Sequence, residues 1–363
     1  VKYDAVTLDT NIFDQKHLNL ERGILAQFKQ FAEGSATFVL SEVVLREVFR
    51  HLQSDADLAK QQLETAIRQS ALARLFDAKT LASLKTLVGG GLDASDAANR
   101  SLRNWTGLTG CEIVRASGAN IERLIEMYFA PEVPFEAGRK HEFPDAIALI
   151  TLEDWAKTNG KKLLAITRDK GWISFCGKSE WIDAEQDVSS ALQRFQAHTE
   201  SARRLVASLL SSIAAGGRQD FKNELDQRLG REIAEIEPEI EAYSDDFYWS
   251  VVDFDVRLKD ISPLTSADSF KIIQTQKDGF VAQITVETTA RVNAEFNYFA
   301  DAAHDRKIGE SRESIAAEFR ADVLVSIRGD AVDDCTLADV ELVNAPVELD
   351  FGDIGPDYSG YEE

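Results

Sequence analysis

Cysteine and histidine are scarce in this chain, and long apolar runs are missing. Its 363 residues include three cysteines and five histidines. Cys111, Cys176 and Cys335 are scattered. They offer neither the even count of a disulfide framework nor the close spacing of a thiolate metal site, which points to a reducing cytoplasm. No apolar stretch approaches the roughly 20 residues that a membrane-spanning helix needs, so no membrane role is expected. The first residues lead straight into a strand, without the basic-then-apolar order of a secretory signal. The histidines show no metal-ligand spacing, and His17, His51 and His198 read as incidental. Neither a Ser-His-Asp pattern nor a phosphate-binding glycine loop is present.

Apolar material is plentiful: hydrophobic residues make up 44% of the chain, with 20 Phe and five Trp, which excludes a disordered chain. The length suits two domains. Basic residues are outnumbered, for a net charge of −22, which at first sight argues against phosphate binding. The imbalance is local. Residues 1–200 carry 24 Lys and Arg against 28 Asp and Glu, or −4; residues 201–363 carry 16 against 34, or −18. A nearly neutral first half is followed by an acidic second half.

The patterning changes at the same place. Short apolar runs at residues 4–8, 37–40, 112–116 and 162–167, and a further strand and helix within 181–195, alternate with helical periodicity. This predicts an α/β domain over residues 1–198, a three-layer parallel sheet flanked by helices. A helix is expected over 20–33. Residues 55–106 read as a helical insertion interrupted by Gly89-Gly90-Gly91, a candidate hinge for a cover over the sheet edge. Residues 199–363 read as a second, α+β domain rich in antiparallel strands. Two helices (199–215 and 219–242) precede strands in which apolar residues alternate, on even positions over 282–298 and on odd positions over 317–327. Lys277-Asp278-Gly279 is the expected hairpin turn. The tail from Glu348 to Glu363, with six acids and no base, is expected to be loosely held and able to mimic phosphate in a basic groove.

Four acids stand where such a fold keeps its chemistry. Asp9 follows the first strand in Leu8-Asp9-Thr10-Asn11-Ile12-Phe13. Glu47 lies in a helix after the second, Asp145 opens a helix after Phe143-Pro144, and Asp169 follows a strand in Thr167-Arg168-Asp169-Lys170-Gly171-Trp172. Carboxylates at several strand ends would meet in one crevice and suit hard divalent cations. Each acid alone could be an ordinary turn or helix-start residue.

In order and surroundings the four resemble the PIN-domain nucleases over about residues 1–190. Gly171 stands where many members carry an additional acid, and residues 55–106 exceed a minimal domain. The resemblance implies a Mg²⁺- or Mn²⁺-dependent nuclease, an endoribonuclease in preference to a DNase, with Asp9, Glu47, Asp145 and Asp169 as metal-binding catalytic groups. Asn11 and Thr167 would orient water or the ligand carboxylates. Arg139 and Lys140, beside His141, would meet nucleic-acid phosphate; Arg100, Arg103 and Trp105 read better as a solvated helix face. The large size points to a regulated toxin or defence effector in place of a minimal toxin. The competing reading is a catalytically silent scaffold whose acidic C-terminal domain binds a protein partner or self-associates. A haloacid-dehalogenase-type phosphatase needs a second Asp two residues after the first, where Asn11 stands.

Overall fold

In the computed structural model residues 2–91, 93–130, 132–135, 142–197, 199–301, 303–304, 306–345 and 348–357 are described, and the chain divides into two compact units, 1–197 and 198–363. In the first unit, five short strands form one parallel sheet: β1 (Ala5–Leu8), β2 (Thr37–Ser41), β3 (Glu112–Val114), β4 (Leu163–Ile166) and β5 (Ile182–Glu185). Their order is β3-β2-β1-β4-β5. Every residue of β1 and β4 is buried, as expected of central parallel strands covered on both faces. The order reverses between β1 and β4, so the crevice at their C-terminal ends is the natural place for a ligand.

Helices flank this sheet. Short α1 (Thr10–Gln15) follows β1, and α2 (Gly23–Ala26) passes into a 3₁₀ turn at Gln27–Phe31, which replaces the single helix expected over 20–33. Phe28 and Phe31 on this segment pack with Phe38 of β2. Ser41 starts α3 (Glu42–Leu72) by accepting the Val43 N–H through its hydroxyl at 3.2 Å. This helix runs on without a break into the expected insertion, which therefore begins as an extension of the Glu47 helix. Its turn lies at Ala73–Asp77, followed by α4 (Ala78–Gly91) and α5 (Ala94–Thr109). The three glycines form the last residues of α4, and the expected interruption falls directly after them, before α5 begins at Ala94. The remaining helices are α6 (Ile121–Phe129), α7 (Phe143–Asn159), α8 (Lys170–Cys176) and α9 (Val188–Gln193). Among them α7 is the most enclosed, with Ala146, Ala148, Leu149, Ile150, Leu152 and Ala156 all buried.

The second unit opens with α10 (Glu200–Ala214) and α11 (Gln219–Ala234). The expected helix over 219–242 stops at Ala234, and residues 239–243 form a strand instead. That strand, β6 (Glu239–Tyr243), pairs in parallel with β12 (Glu348–Asp353). An antiparallel sheet is built from β7 (Tyr248–Pro263), β8 (Phe270–Gln276), β9 (Gly279–Phe299), β10 (Lys307–Arg328) and β11 (Thr336–Asn344), in the order β11-β10-β9-β7 with β8 also on β9. The period-two pattern places Ile284, Val286, Val292 and Phe296 in one core with Val323 and Val325 of β10. Phe221, Leu225, Leu229 and Ile233, spaced four apart on α11, join that core as a single stripe. Gly279 closes the β8–β9 hairpin where a Cβ would lie 2.1 Å from the Ile327 carbonyl oxygen, so no larger residue fits that strand pairing.

The acidic tail is not loose over its described residues. Leu349, Phe351 and Ile354 are buried in the second unit's core, and the Asp357 N–H donates to the Glu310 carbonyl at 3.0 Å. These residues alternate with the acids, which is why the segment looks solvated when only its charge is counted. Residues 358–363 lie outside the described residues.

Candidate active site

Strand register builds the first contact. Leu8 pairs with Ile166 at the ends of β1 and β4, and the Asp9 N–H donates to the Ile166 carbonyl at 3.0 Å. Asp9 and Thr167 are therefore neighbours. The Thr167 hydroxyl donates to Asp9 Oδ2 at 2.6 Å, and Asn11 Nδ2 donates to the same oxygen at 2.5 Å. Asp9 is only 4% exposed and Thr167 is fully buried. A buried carboxylate held by two side-chain donors has one fixed orientation.

Asp169 stands two residues beyond Thr167 and caps α8: its Oδ1 accepts the Trp172 N–H at 3.0 Å. Its own N–H donates to the Thr167 hydroxyl oxygen at 3.0 Å. A Cβ at Gly171 would stand 3.0 Å from Asp169 Oδ1 and 3.3 Å from the Pro134 Cβ. Glycine at this position leaves the carboxylate room that a larger residue would take. Trp172 is fully buried, yet its indole Nε1 donates to Asp145 Oδ1 at 2.8 Å. Asp145 lies in the first turn of α7, where the helix dipole favours a carboxylate. The sequence motif contained Trp172, but its hold on Asp145 depends on how α7 and α8 pack.

Glu47 comes from α3. Its Oε2 accepts from the Thr10 hydroxyl at 2.7 Å, which ties α3 to the residue after Asp9. One helical turn further along both helices, His51 Nδ1 lies 2.6 Å from Asp14 Oδ1. Glu42, the other acid at the start of this helix, is engaged elsewhere: it accepts the Ala116 N–H at 3.0 Å and bonds Arg46 at 2.7 Å. The Ala116 N–H first, and then Arg46, hold its carboxyl below the usual range.

The acids act on one another. Burial pushes Asp9 up to about 7, and the charges of Asp145 and Asp169 add to that rise against the opposing Thr167 hydrogen bond. Burial likewise pushes Asp145 up to about 6, with Glu47, Asp169 and Glu142 adding and the Trp172 bond opposing. Like charges sharing a poorly solvated crevice produce this effect. Asp145, Asp169 and Glu47 are each fixed through one oxygen, and the second oxygen has no hydrogen-bond partner among the described residues. All four offer hard oxygen donors. Among the described residues, no group of three His, Cys, Asp or Glu side chains is placed to hold a metal ion. The four carboxylates lie within electrostatic reach of one another but do not form an assembled ion site as they stand. Mg²⁺-type ions take few carboxylates and keep several waters, so an open set of this chemistry suits them.

The other sequence-based candidates fare differently. Arg139 and Lys140, with His141, lie outside the described residues. Arg100 and Arg103 are exposed on α5. Trp105 is a core residue, only 2% exposed, with its indole donating to the Leu25 carbonyl at 3.1 Å and its ring edge-on to Phe13 and Phe38. No helix among the described residues is long and apolar enough to cross a membrane.

Residues 6–172 match a family model described as PIN domain. The match spans Asp9, Glu47, Asp145 and Asp169 and includes the three helices α3, α4 and α5. No curated protein and no solved structure matches the chain.

Proposed function

Given that the N-terminal unit of this chain is a PIN domain, we propose that the protein is a divalent-metal-dependent nuclease, and more narrowly an endoribonuclease acting as a regulated effector. PIN domains are in general nucleases. The observation that supports a metal-dependent nuclease is the acid group at the β1–β4 switch, where Asp9 and Asp145 feel the charges of Asp169 and Glu47 while each of the four is fixed by a named partner. The preference for RNA rests on the family resemblance alone. Mg²⁺ or Mn²⁺ would draw its oxygen ligands from Asp9, Glu47, Asp145 and Asp169, which would have to move closer together before three of them could reach one ion. When bound, such ions activate a water for attack on phosphorus and stabilise the leaving oxygen.

The chain's own groups do the positioning. Thr167 and Asn11 aim Asp9, Trp172 aims Asp145, and the α8 N-terminus aims Asp169. Thr10 keeps Glu47 on the crevice side of α3. These partners restrict how each carboxylate can turn, so the adjustment left for metal binding is the approach of the four acids to one another.

The test is cleavage of fluorescently labelled single-stranded RNA and DNA of equal sequence, in Mg²⁺, in Mn²⁺ and in chelator, by wild type and Asp9→Asn. The reading expects metal-dependent internal cuts in RNA that Asp9→Asn abolishes. A wild-type protein that binds the ions but cuts neither polymer would move the assignment to a non-catalytic scaffold. Cleavage that survives in Asp9→Asn would move the site elsewhere.

A further inference from the structure

A second pair of side chains continues the line of the site. On α1, Thr10 and Asp14 are four residues apart; on α3, Glu47 and His51 are also four apart. Thr10 bonds Glu47 at 2.7 Å and Asp14 meets His51 at 2.6 Å, so the two contacts form successive rungs between the helices. Four residues of helix advance about 6 Å, a distance on the scale of the step from one phosphodiester to the next along a single strand. The inner rung touches the acid cluster. The outer rung is at the surface, with the His51 and Asp14 side chains 40% and 45% exposed.

Asp14 engages His51 Nδ1, which leaves Nε2 of this partly exposed ring without a hydrogen-bond partner among the described residues. With Nδ1–H held by the carboxylate, the form of the imidazole that can donate to a phosphate is the one with protons on both nitrogens. That form presents an Nε2–H and a positive charge one helical turn from Glu47. A crevice lined by carboxylates repels a polyanion, so a strand bound there needs a cation beside it.

We infer that His51, oriented by Asp14, binds the phosphate adjacent to the scissile one in a single-stranded nucleic acid. The inference rests on the nuclease reading above and extends its site by one nucleotide. His51 binds substrate; Asp14 is a positioning residue that acts through it.

The probe is a 5′-fluorescein single-stranded RNA decamer, with affinity measured by anisotropy in Ca²⁺ over a series of salt concentrations. The proteins are wild type, His51→Ala, His51→Gln and Asp14→Asn. A lost charge-assisted contact should weaken binding about tenfold in His51→Ala at low salt. Loss of one phosphate contact should also flatten the slope of log K against log salt by about 0.7. His51→Gln keeps a donor but no charge, so it should recover part of the affinity without restoring the slope. Asp14→Asn should fall between wild type and His51→Ala. Unchanged affinity and slope in His51→Ala, with wild type still cleaving RNA, would overturn the inference and leave the nuclease reading intact. A lower melting temperature with an unchanged slope would also overturn it, because the pair would then only clamp α1 to α3. Failure of wild type to bind any single strand would overturn both.

Discussion

Replacing Asp9 with asparagine should stabilise the metal-free protein, and the gain should depend on pH in a defined way. Asp9 is nearly fully buried and its carboxyl is pushed up to about 7. In the unfolded chain it ionises near 4, so between about pH 4 and pH 7 the folded state holds a proton that the unfolded state has lost. Folding is therefore penalised progressively as pH rises through this window, and fully above it. A rise from about 4 to about 7 corresponds to about 4 kcal/mol. Asparagine removes the charge and can still accept from Thr167 and Asn11 through its oxygen. Its NH₂ would stand near the Thr10 backbone N–H, which helps lower the native carboxyl; losing that attraction costs about 1–2 kcal/mol. The net gain is about 2–3 kcal/mol at pH 8, which for a unit of this size means roughly 5–10 °C in Tm. Tryptophan fluorescence is a suited readout, since Trp105, Trp155, Trp172 and Trp181 lie in the first unit and only Trp249 in the second. Melting in chelator at pH 4, 6 and 8 should show the Asp9→Asn advantage growing with pH and disappearing at pH 4. Equal melting at pH 8, or an advantage independent of pH, would refute the argument that Asp9 sits in a crowd of unrelieved negative charge.

Three further expectations follow from particular contacts. Trp172→Phe keeps most of the buried ring but removes the Nε1–H that holds Asp145, so kcat for RNA cleavage should fall at least tenfold while Tm drops by a few degrees; an unchanged kcat would show that Asp145 needs no such support. Deleting Glu348–Glu363 removes Leu349, Phe351 and Ile354 from the second unit's core; at about 1.5–3 kcal/mol for each large buried side chain, that unit should unfold at markedly lower urea concentration, whereas a deletion that left stability unchanged would return the tail to the role of a loose acidic arm. Gly89→Ala and Gly90→Ala, both within α4, should each add about 1 kcal/mol of helix stability and lower hydrogen exchange there; faster exchange would show that the glycines are needed as a hinge.

Central parallel strands were the easiest elements to read in the sequence. Covered on both faces, β1 and β4 appear as unbroken apolar runs that end in polar turns, and the acids follow from the strand ends. In the second unit, β9 and β10 are equally legible because one face is solvated and the pattern alternates. The errors come where local composition and tertiary pairing disagree. Residues 235–242 carry four glutamates, but Pro238 cannot continue a helix, and Ile240 and Ala242 pack into the core from β6, paired with β12. The tail's acids concealed the alternating Leu349 and Phe351. The three glycines do mark the break between α4 and α5, but the helix tolerates them as its last turn, so the break comes just after them. Within the crevice, Asp9 and Thr167 follow from parallel register, which a reader can count. Thr10 with Glu47, Trp172 with Asp145, and Asp14 with His51 depend on which helix faces meet, and no local signal in the sequence carries that.

The central claim is that Asp9, Glu47, Asp145 and Asp169 share divalent metal. The most direct measurement is the anomalous difference density of a crystal of the full chain soaked in Mn²⁺. One or two peaks bounded by the carboxylates of Asp9, Asp145 and Asp169, with Glu47 directly or through water, are the predicted result. A fully occupied Mn²⁺ elsewhere on the chain, with the four carboxylates left as an empty crevice, would contradict it.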